Sequence, residues 1–114
     1  AESKIELSEE YLTLLRYSNG GEGDLAVRPG WFQIWPAEEV IALNEGYEVE
    51  QNVPRFFGFG SNGGGELFAF DTRGDKPWQV VMIPFIPMTV ENTIIIAKDF
   101  EVFIQAMGHE YEDD

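Results

Sequence analysis

Apolar residues recur along this chain at two different spacings, and the change from one to the other divides it. Near the start, Tyr11, Leu14, Leu15 and Ser18 fall at i, i+3, i+4 and i+7, one face of a helix. Ser8 suits the N-cap, because its hydroxyl accepts from a free first-turn N–H. Glu9 and Glu10 then sit where the helix dipole favours negative charge, and Leu7 and Leu12 are spaced for a hydrophobic staple. Asn19-Gly20-Gly21 predicts the stop, since both residue types tolerate a left-handed backbone. Residues 20–30, with four glycines and a proline, read as a loop.

Trp31–Trp35 alternates as a strand, with Trp31, Gln33 and Trp35 on one side and Phe32 and Ile34 on the other. Apolar groups on both sides predict a strand covered on both faces. Pro36 is placed to be the first residue of a second helix. Glu38 and Glu39 fill its first turn, Val40, Ile41 and Leu43 its apolar stripe, and Gly46 its end.

From residue 53 the spacing becomes two and aromatic residues accumulate. Arg55–Phe59 and Glu66–Asp71 read as strands joined by a loop over Gly60–Gly65, a hairpin. Thr72–Pro77 makes a turn, Trp78–Pro84 a third strand, and Thr93–Ala97 a further β-branched strand. Asp99 caps a last helix carrying Phe100, Phe103, Ile104 and Met107, which Gly108 ends. Residues 110–114 form an acidic tail expected to fray. Tight turns between consecutive strands imply antiparallel pairing, because parallel pairs need long crossovers. The predicted class is α+β: one antiparallel sheet with short helices packed on it.

Composition narrows the functions. The 114 residues form one domain, 1–114, and carry 7 Lys+Arg against 21 Asp+Glu, a net charge of −14. An anionic surface repels nucleic acid, whose binding needs cations to displace counterions. It disfavours an anionic membrane surface likewise. There is no cysteine, which removes disulfides, thiolate nucleophiles and Cys-ligated metals. It also suits a reducing cytoplasm. The longest apolar runs, such as 80–85, are strand-sized, and no signal peptide is visible.

Candidate chemistry is sparse. The run Gly58–Gly65 lacks the lysine and following helix of a phosphate cradle, so it reads as a hairpin loop that a partner backbone can approach closely. Asp71-Thr-Arg-Gly-Asp75 lacks the later bidentate acid of a calcium loop and reads as a turn. Its Arg-Gly-Asp tripeptide is too short to carry an adhesion role. His109 is the only histidine, too little for an acid–base pair or a histidine-rich metal site. Catalytic, cofactor and metal residues are therefore expected to be none.

The charge is unevenly spread. Residues 37–54 hold Glu38, Glu39, Glu45, Glu48 and Glu50 with no Lys or Arg, whereas residues 55–78 balance. A field of one sign steers an oppositely charged protein, so these five glutamates are the expected contacts for a basic partner. The duller reading is a solvated face. A binding surface also needs a desolvated aromatic anchor, and Trp78, directly after a Lys-Pro turn, is the expected one.

The ordered motifs Leu7-Ser-Glu-Glu-Tyr-Leu12, Asn19-Gly-Gly21, Trp35-Pro-Ala-Glu-Glu39, Asn44 with Tyr47, Phe59–Glu66, Phe68-Ala-Phe-Asp71, Val81–Phe85 and Ala97–Ile104 span nearly the whole chain. In this order the chain resembles the SUKH superfamily, which includes yeast cell-wall assembly regulators and many bacterial immunity proteins. The additional N-terminal helix that members often carry is missing or trimmed here. The resemblance implies an α+β fold, no enzymatic activity and no cofactor. It also implies a cytoplasmic protein that neutralises a cognate bacterial toxin by direct binding. A basic nuclease is the expected toxin, since an electropositive site built for phosphate accepts an acidic protein. A general interaction or scaffold module is the runner-up. A small glycan-binding or hydrolytic protein using exposed aromatics and a carboxylate pair is third. The resemblance fixes no partner-binding residue.

Overall fold

A computed structural model describes residues 9–110. The first helix, α1 (Glu9–Ser18), keeps Tyr11 as its buried residue. The Ser8 cap and the Leu7 staple lie outside the described residues. The chain then turns through Asn19, at φ 44, and Gly20, at φ 112. Where a loop was expected over 20–30, a short strand forms instead, β1 (Gly21–Asp24). Gly, Glu and Asp are poor strand formers, so nothing local marks it. It is held by antiparallel pairing with β2 (Trp31–Ile34), Gly21 opposite Ile34 and Asp24 opposite Trp31.

Helix α2 (Ala37–Gly46) begins one residue later than expected. Pro36 is its extended N-cap, at φ −60 and ψ 151, not its first residue. Gly46 remains helical, and the reversal falls on Glu48, at φ 57, before a short α3 (Val49–Asn52) that sequence did not suggest. Val49 and Val53 are fully buried, so α3 is held by packing and not by propensity.

Four strands complete the sheet: β3 (Phe56–Ser61), β4 (Glu66–Asp71), β5 (Gln79–Pro84) and β6 (Ile94–Ala97). β4 has the expected bounds. β3 runs two residues further than expected, which shortens the glycine loop to residues 62–65. β5 starts one residue later, leaving Trp78 in the turn. A single 3₁₀ turn, Val90–Asn92, precedes β6, and α4 (Phe100–Ala106) follows it. The Asp99 cap is present, its carboxylate accepting from the Val102 N–H at 2.9 Å.

Every strand pairs antiparallel with its neighbour in sequence, in the order β1-β2-β3-β4-β5-β6. The β3–β4 ladder sets Phe57 opposite Phe70 and Ser61 opposite Leu67, with a bulge between Gly58 and Gly60. At Gly60 a Cβ would lie 2.2 Å from the Gln33 carbonyl oxygen. Only glycine lets β2 approach β3 there.

Helices cover both faces. Phe59, Phe68 and Phe70 face α1 and α4, where the Tyr11 ring lies 5.5–5.7 Å from Phe59, Phe70 and Phe100. Phe103 closes this aromatic cluster, 5.6 Å from Phe59 and 5.3 Å from Phe68. Edge-on pairs of this kind stabilise by about 0.5–1.5 kcal/mol each beyond the burial of their area. Burial also pushes the Tyr11 phenol above its ordinary pKa. On the other face, Gly58 lies against Leu67, Asn44 and Trp35. The fold is α+β as expected, a meander with α1 and α4 on one side and α2 and α3 on the other.

Candidate functional site

Chain geometry fixes the acidic segment at three points. Asn19, left-handed at the end of α1, accepts from the Ala37 N–H at 2.7 Å and donates to both Glu38 carboxylate oxygens at 2.9 and 3.1 Å. One asparagine thereby caps α2 in place of the side chain Pro36 lacks. Its amide bond also holds the Glu38 carboxyl below the usual glutamate range, helped by the backbone N–H of Glu38 itself. In the last two turns of α2, Asn44 donates to Val40 O and to Gly58 O, each at 2.8 Å, and accepts from the Gly58 N–H at 2.8 Å. From the first turn of α3, Glu50 accepts from the Arg55 N–H at 3.2 Å.

All five glutamates are exposed. Glu38 and Glu50 are tied to the backbone framework as described. Glu39, Glu45 and Glu48 have no ion-pair partner among the described residues, where Asp71–Arg73 is the one salt bridge. The structure thus brings the five acids onto the α2–α3 layer, on one side of the sheet.

Within that layer lies an apolar centre that sequence reasoning missed. Tyr47, between Glu45 and Glu48, is 43% exposed. Its ring stacks 6.0 Å from Trp35 and 4.5 Å from Phe85. The next residue, Ile86, is 91% exposed. The Phe85 N–H donates to Gly65 O at 2.9 Å, which ties this turn to the glycine loop. In sequence, Tyr47 entered only as part of the resemblance, with Asn44, and not as a contact residue. Its contact with Phe85 joins segments far apart in the chain, and no local pattern reveals that.

Trp78 is elsewhere. It is half-buried, its indole N–H donates to Gly74 O at 3.2 Å, and its ring lies 6.1 Å from Phe70. That places it on the α1–α4 side. There it lines a cleft of 790 Å³ with Glu10, Arg16, Lys76, Phe100 and Glu101. The Lys76 ammonium sits 5.0 Å over the indole. The sheet separates Trp78 from the five glutamates, so the two do not form one surface.

The remaining motifs are structural. Asp71 accepts from the Arg73 backbone at 3.1 Å and pairs with its guanidinium at 2.9 Å, which holds the Asp71 carboxyl below its usual range. Arg73 also lies 4.7 Å over the Phe56 ring, so the Arg-Gly-Asp arginine is engaged inside its own turn. In the glycine loop, Asn62 Oδ1 accepts from the N–H groups of Gly64 and Glu66, and Gly63 takes φ 80 against the Trp31 ring. His109 is exposed beyond α4. Among the described residues, no cluster of three acidic or histidine side chains is placed to hold a metal ion. No helix there is long and apolar enough to cross a membrane.

A family model described as the SMI1 / KNR4 family (SUKH-1) matches residues 1–106. No curated protein matches the chain.

Proposed function

Because the chain belongs to the SMI1 / KNR4 family (SUKH-1), which includes toxin immunity proteins, we propose that it is an immunity protein. In this reading it is a non-enzymatic, cytoplasmic domain that neutralises a cognate bacterial toxin by covering it. The observation that carries the reading is the α2–α3 surface, where Tyr47 stands exposed between Glu45 and Glu48 and packs on Phe85, the residue before the exposed Ile86. Exposed rim charges raise association rates but add little affinity. Apolar side chains that become fully desolvated supply most of the affinity. This surface holds both.

The partner it suits is basic. A nuclease site is electropositive because it attracts phosphate, and an acidic surface competes for it. Glu48 supports the reading independently. It is a non-glycine residue in the left-handed region, at φ 57, a conformation that costs roughly 1 kcal/mol or more. A glutamate kept there, with glycine the relaxed choice, suits a residue retained for contact.

The test is co-expression with a toxin domain, sought first in any toxin gene that neighbours this one. Restored growth and a stoichiometric complex at low salt are expected. Neither growth nor complex would overturn the reading for that toxin.

A further inference from the structure

Trp31 is the most exposed of the three tryptophans, at 39%, while Trp35 is buried and Trp78 half-buried. Register places it on the same side of the sheet as the five glutamates. Gln33 pairs with Ser61 and Ser61 with Leu67, and Leu67 lies on the α2 side with Trp35 and Asn44. Side chains two apart along a strand share a face, so Trp31, Gln33 and Trp35 all stand on that side. α2 and α3 pack on β3, and beside them the β1–β2 flank keeps Glu22, Asp24 and Trp31 exposed.

The surroundings of this indole are acidic. Opposed residues of an antiparallel pair share a sheet face, and Asp24 stands opposite Trp31, with Glu22 opposite Gln33. Direct partners hold their Cβ atoms about 4.5–5.5 Å apart and diagonal ones about 7–8 Å, so both carboxylates reach the ring. Arg28, in the same hairpin, forms no ion pair among the described residues. The Trp31 indole N–H has no hydrogen-bond partner among the described residues, whereas that of Trp78 donates to Gly74 O.

Glycine keeps the ring uncovered. A Cβ on Gly63 would lie 3.0 Å from the ring's Cδ1 and Nε1, and Gly64 and Gly65 add no side chain. The loop is still held in shape, with Asn62 Oδ1 accepting from the N–H groups of Gly64 and Glu66. Gly65 O accepts from the Phe85 N–H, and the Phe85 ring packs 4.5 Å from Tyr47. The Trp31 flank is therefore continuous with the Tyr47 surface.

We propose that this flank binds an extended, arginine-bearing segment of the partner. The guanidinium lies over the Trp31 ring beside Glu22 and Asp24. The segment's backbone passes over residues 63–65, where no side chain obstructs it, and one of its carbonyls accepts from the indole N–H. A guanidinium is planar, weakly hydrated and stacks on aromatic faces, which suits it here better than an ammonium. The net charge of −14 repels a second copy of this chain and attracts a cationic occupant. That the segment belongs to a toxin rests on the immunity reading, whereas its chemistry rests on the flank alone.

The test is an NMR titration of the full chain at low salt with acetyl-Gly-Arg-Gly-amide, up to about 20 mM. The Trp31 indole N–H resonance is expected to move saturably, and those of Trp35 and Trp78 to stay in place. The same peptide with citrulline for arginine, which is planar but uncharged, should bind about fivefold more weakly. E22Q/D24N should weaken the arginine peptide about fivefold as well. Its circular dichroism should match wild type, since both acids are exposed. An unmoved Trp31 resonance, equal binding of the citrulline peptide, or unchanged affinity in E22Q/D24N each overturns the proposal. So does a Trp31 shift produced as strongly by a neutral trisaccharide, or by concentrating the chain alone. The titration needs no toxin, so the two readings fail separately. A Trp31 shift without toxin rescue faults the immunity reading, and rescue without a Trp31 shift faults this site.

Discussion

Asn44 satisfies both backbone polar groups of Gly58, donating to its carbonyl and accepting from its N–H, each at 2.8 Å. The pair lies at the bulge of β3, where the regular ladder with β4 is interrupted. A side chain on α2 completes what the sheet leaves open, and in doing so fixes the height of the acidic helix over the sheet. Asn44→Ala leaves both Gly58 groups without a partner in a part-buried place. Unmade hydrogen bonds of this kind cost about 1–3 kcal/mol each. The expected loss is about 2–4 kcal/mol, read by chemical denaturation. Asn44→Asp should fare no better, since it sets a carboxylate against two carbonyls. A loss under about 0.5 kcal/mol for either variant would contradict the role.

Two glycines should respond in opposite directions. Gly60→Ala drives a Cβ to 2.2 Å from the Gln33 carbonyl oxygen, backbone against backbone. It should destabilise by about 3 kcal/mol or more, the upper range for overpacking. Gly46→Ala meets nothing within 4 Å and lies in α2 without a positive φ. It should stabilise by roughly 0.5–1 kcal/mol, the ordinary helix preference of alanine over glycine. Thermal melts of the two variants compare them directly.

The acid limb of stability should depend on Glu38 and Asp71. Both carboxyls titrate below their ordinary ranges in the folded chain, Glu38 through Asn19 and Asp71 through Arg73. A depressed folded pKa gives stability that is present above the unfolded value and is lost as pH falls through the folded one. Stability should therefore decline from the ordinary carboxylate range downwards. Glu38→Gln should flatten that decline. Asn19→Ala should move the Glu38 titration upward, which carboxyl NMR follows. An unmoved Glu38 titration in Asn19→Ala would refute the coupling.

Glu48→Gly should separate stability from binding. Glycine relieves the left-handed strain at φ 57 and should stabilise by about 1 kcal/mol. On the proposed reading it also removes a contact, so the more stable variant should bind the toxin less well. Equal binding would remove Glu48 from the interface without touching the strain argument.

Charge and anchor should act on different rate constants. Neutralising Glu39 and Glu45 to Gln should slow association and reduce its salt dependence, leaving dissociation nearly unchanged. Ile86→Ser should speed dissociation, costing about 1–2 kcal/mol of affinity. Because Ile86 is 91% exposed, that variant should melt like wild type. On the proposed reading, surface plasmon resonance against a toxin domain that the chain binds measures both. The reverse assignment would place the anchor elsewhere.

Much of the fold was legible because its signals are local. The Asn-Gly stop after α1, the bounds of β4 and the Asp99 cap each depend on a few adjacent residues. β1 was illegible because Gly21, Glu22, Gly23 and Asp24 form a strand only against β2. α3 was hidden because four residues nucleate no helix without the burial of Val49 and Val53. The acids were found as a group because they are contiguous in sequence. Their separation from Trp78 was not, because it depends on which sheet face each helix covers. Tyr47 went unread as an anchor for the related reason that Phe85 reaches it only in three dimensions.

Sheet order that repeats chain order has a kinetic meaning. Each strand finds its partner across one connection, so little loop entropy is lost before a hairpin forms, and such topologies fold fast for their β content. The junction of residues 24–26 with 106–108 breaks the rule. Leu25 bridges Met107, and the Ala26 N–H donates to Ala106 O at 2.7 Å, so the end of β1 is pinned by the end of α4. During synthesis the end of β1 waits for this contact until residues 106–108 have emerged. The strand least supported by its own sequence is also the last to be secured.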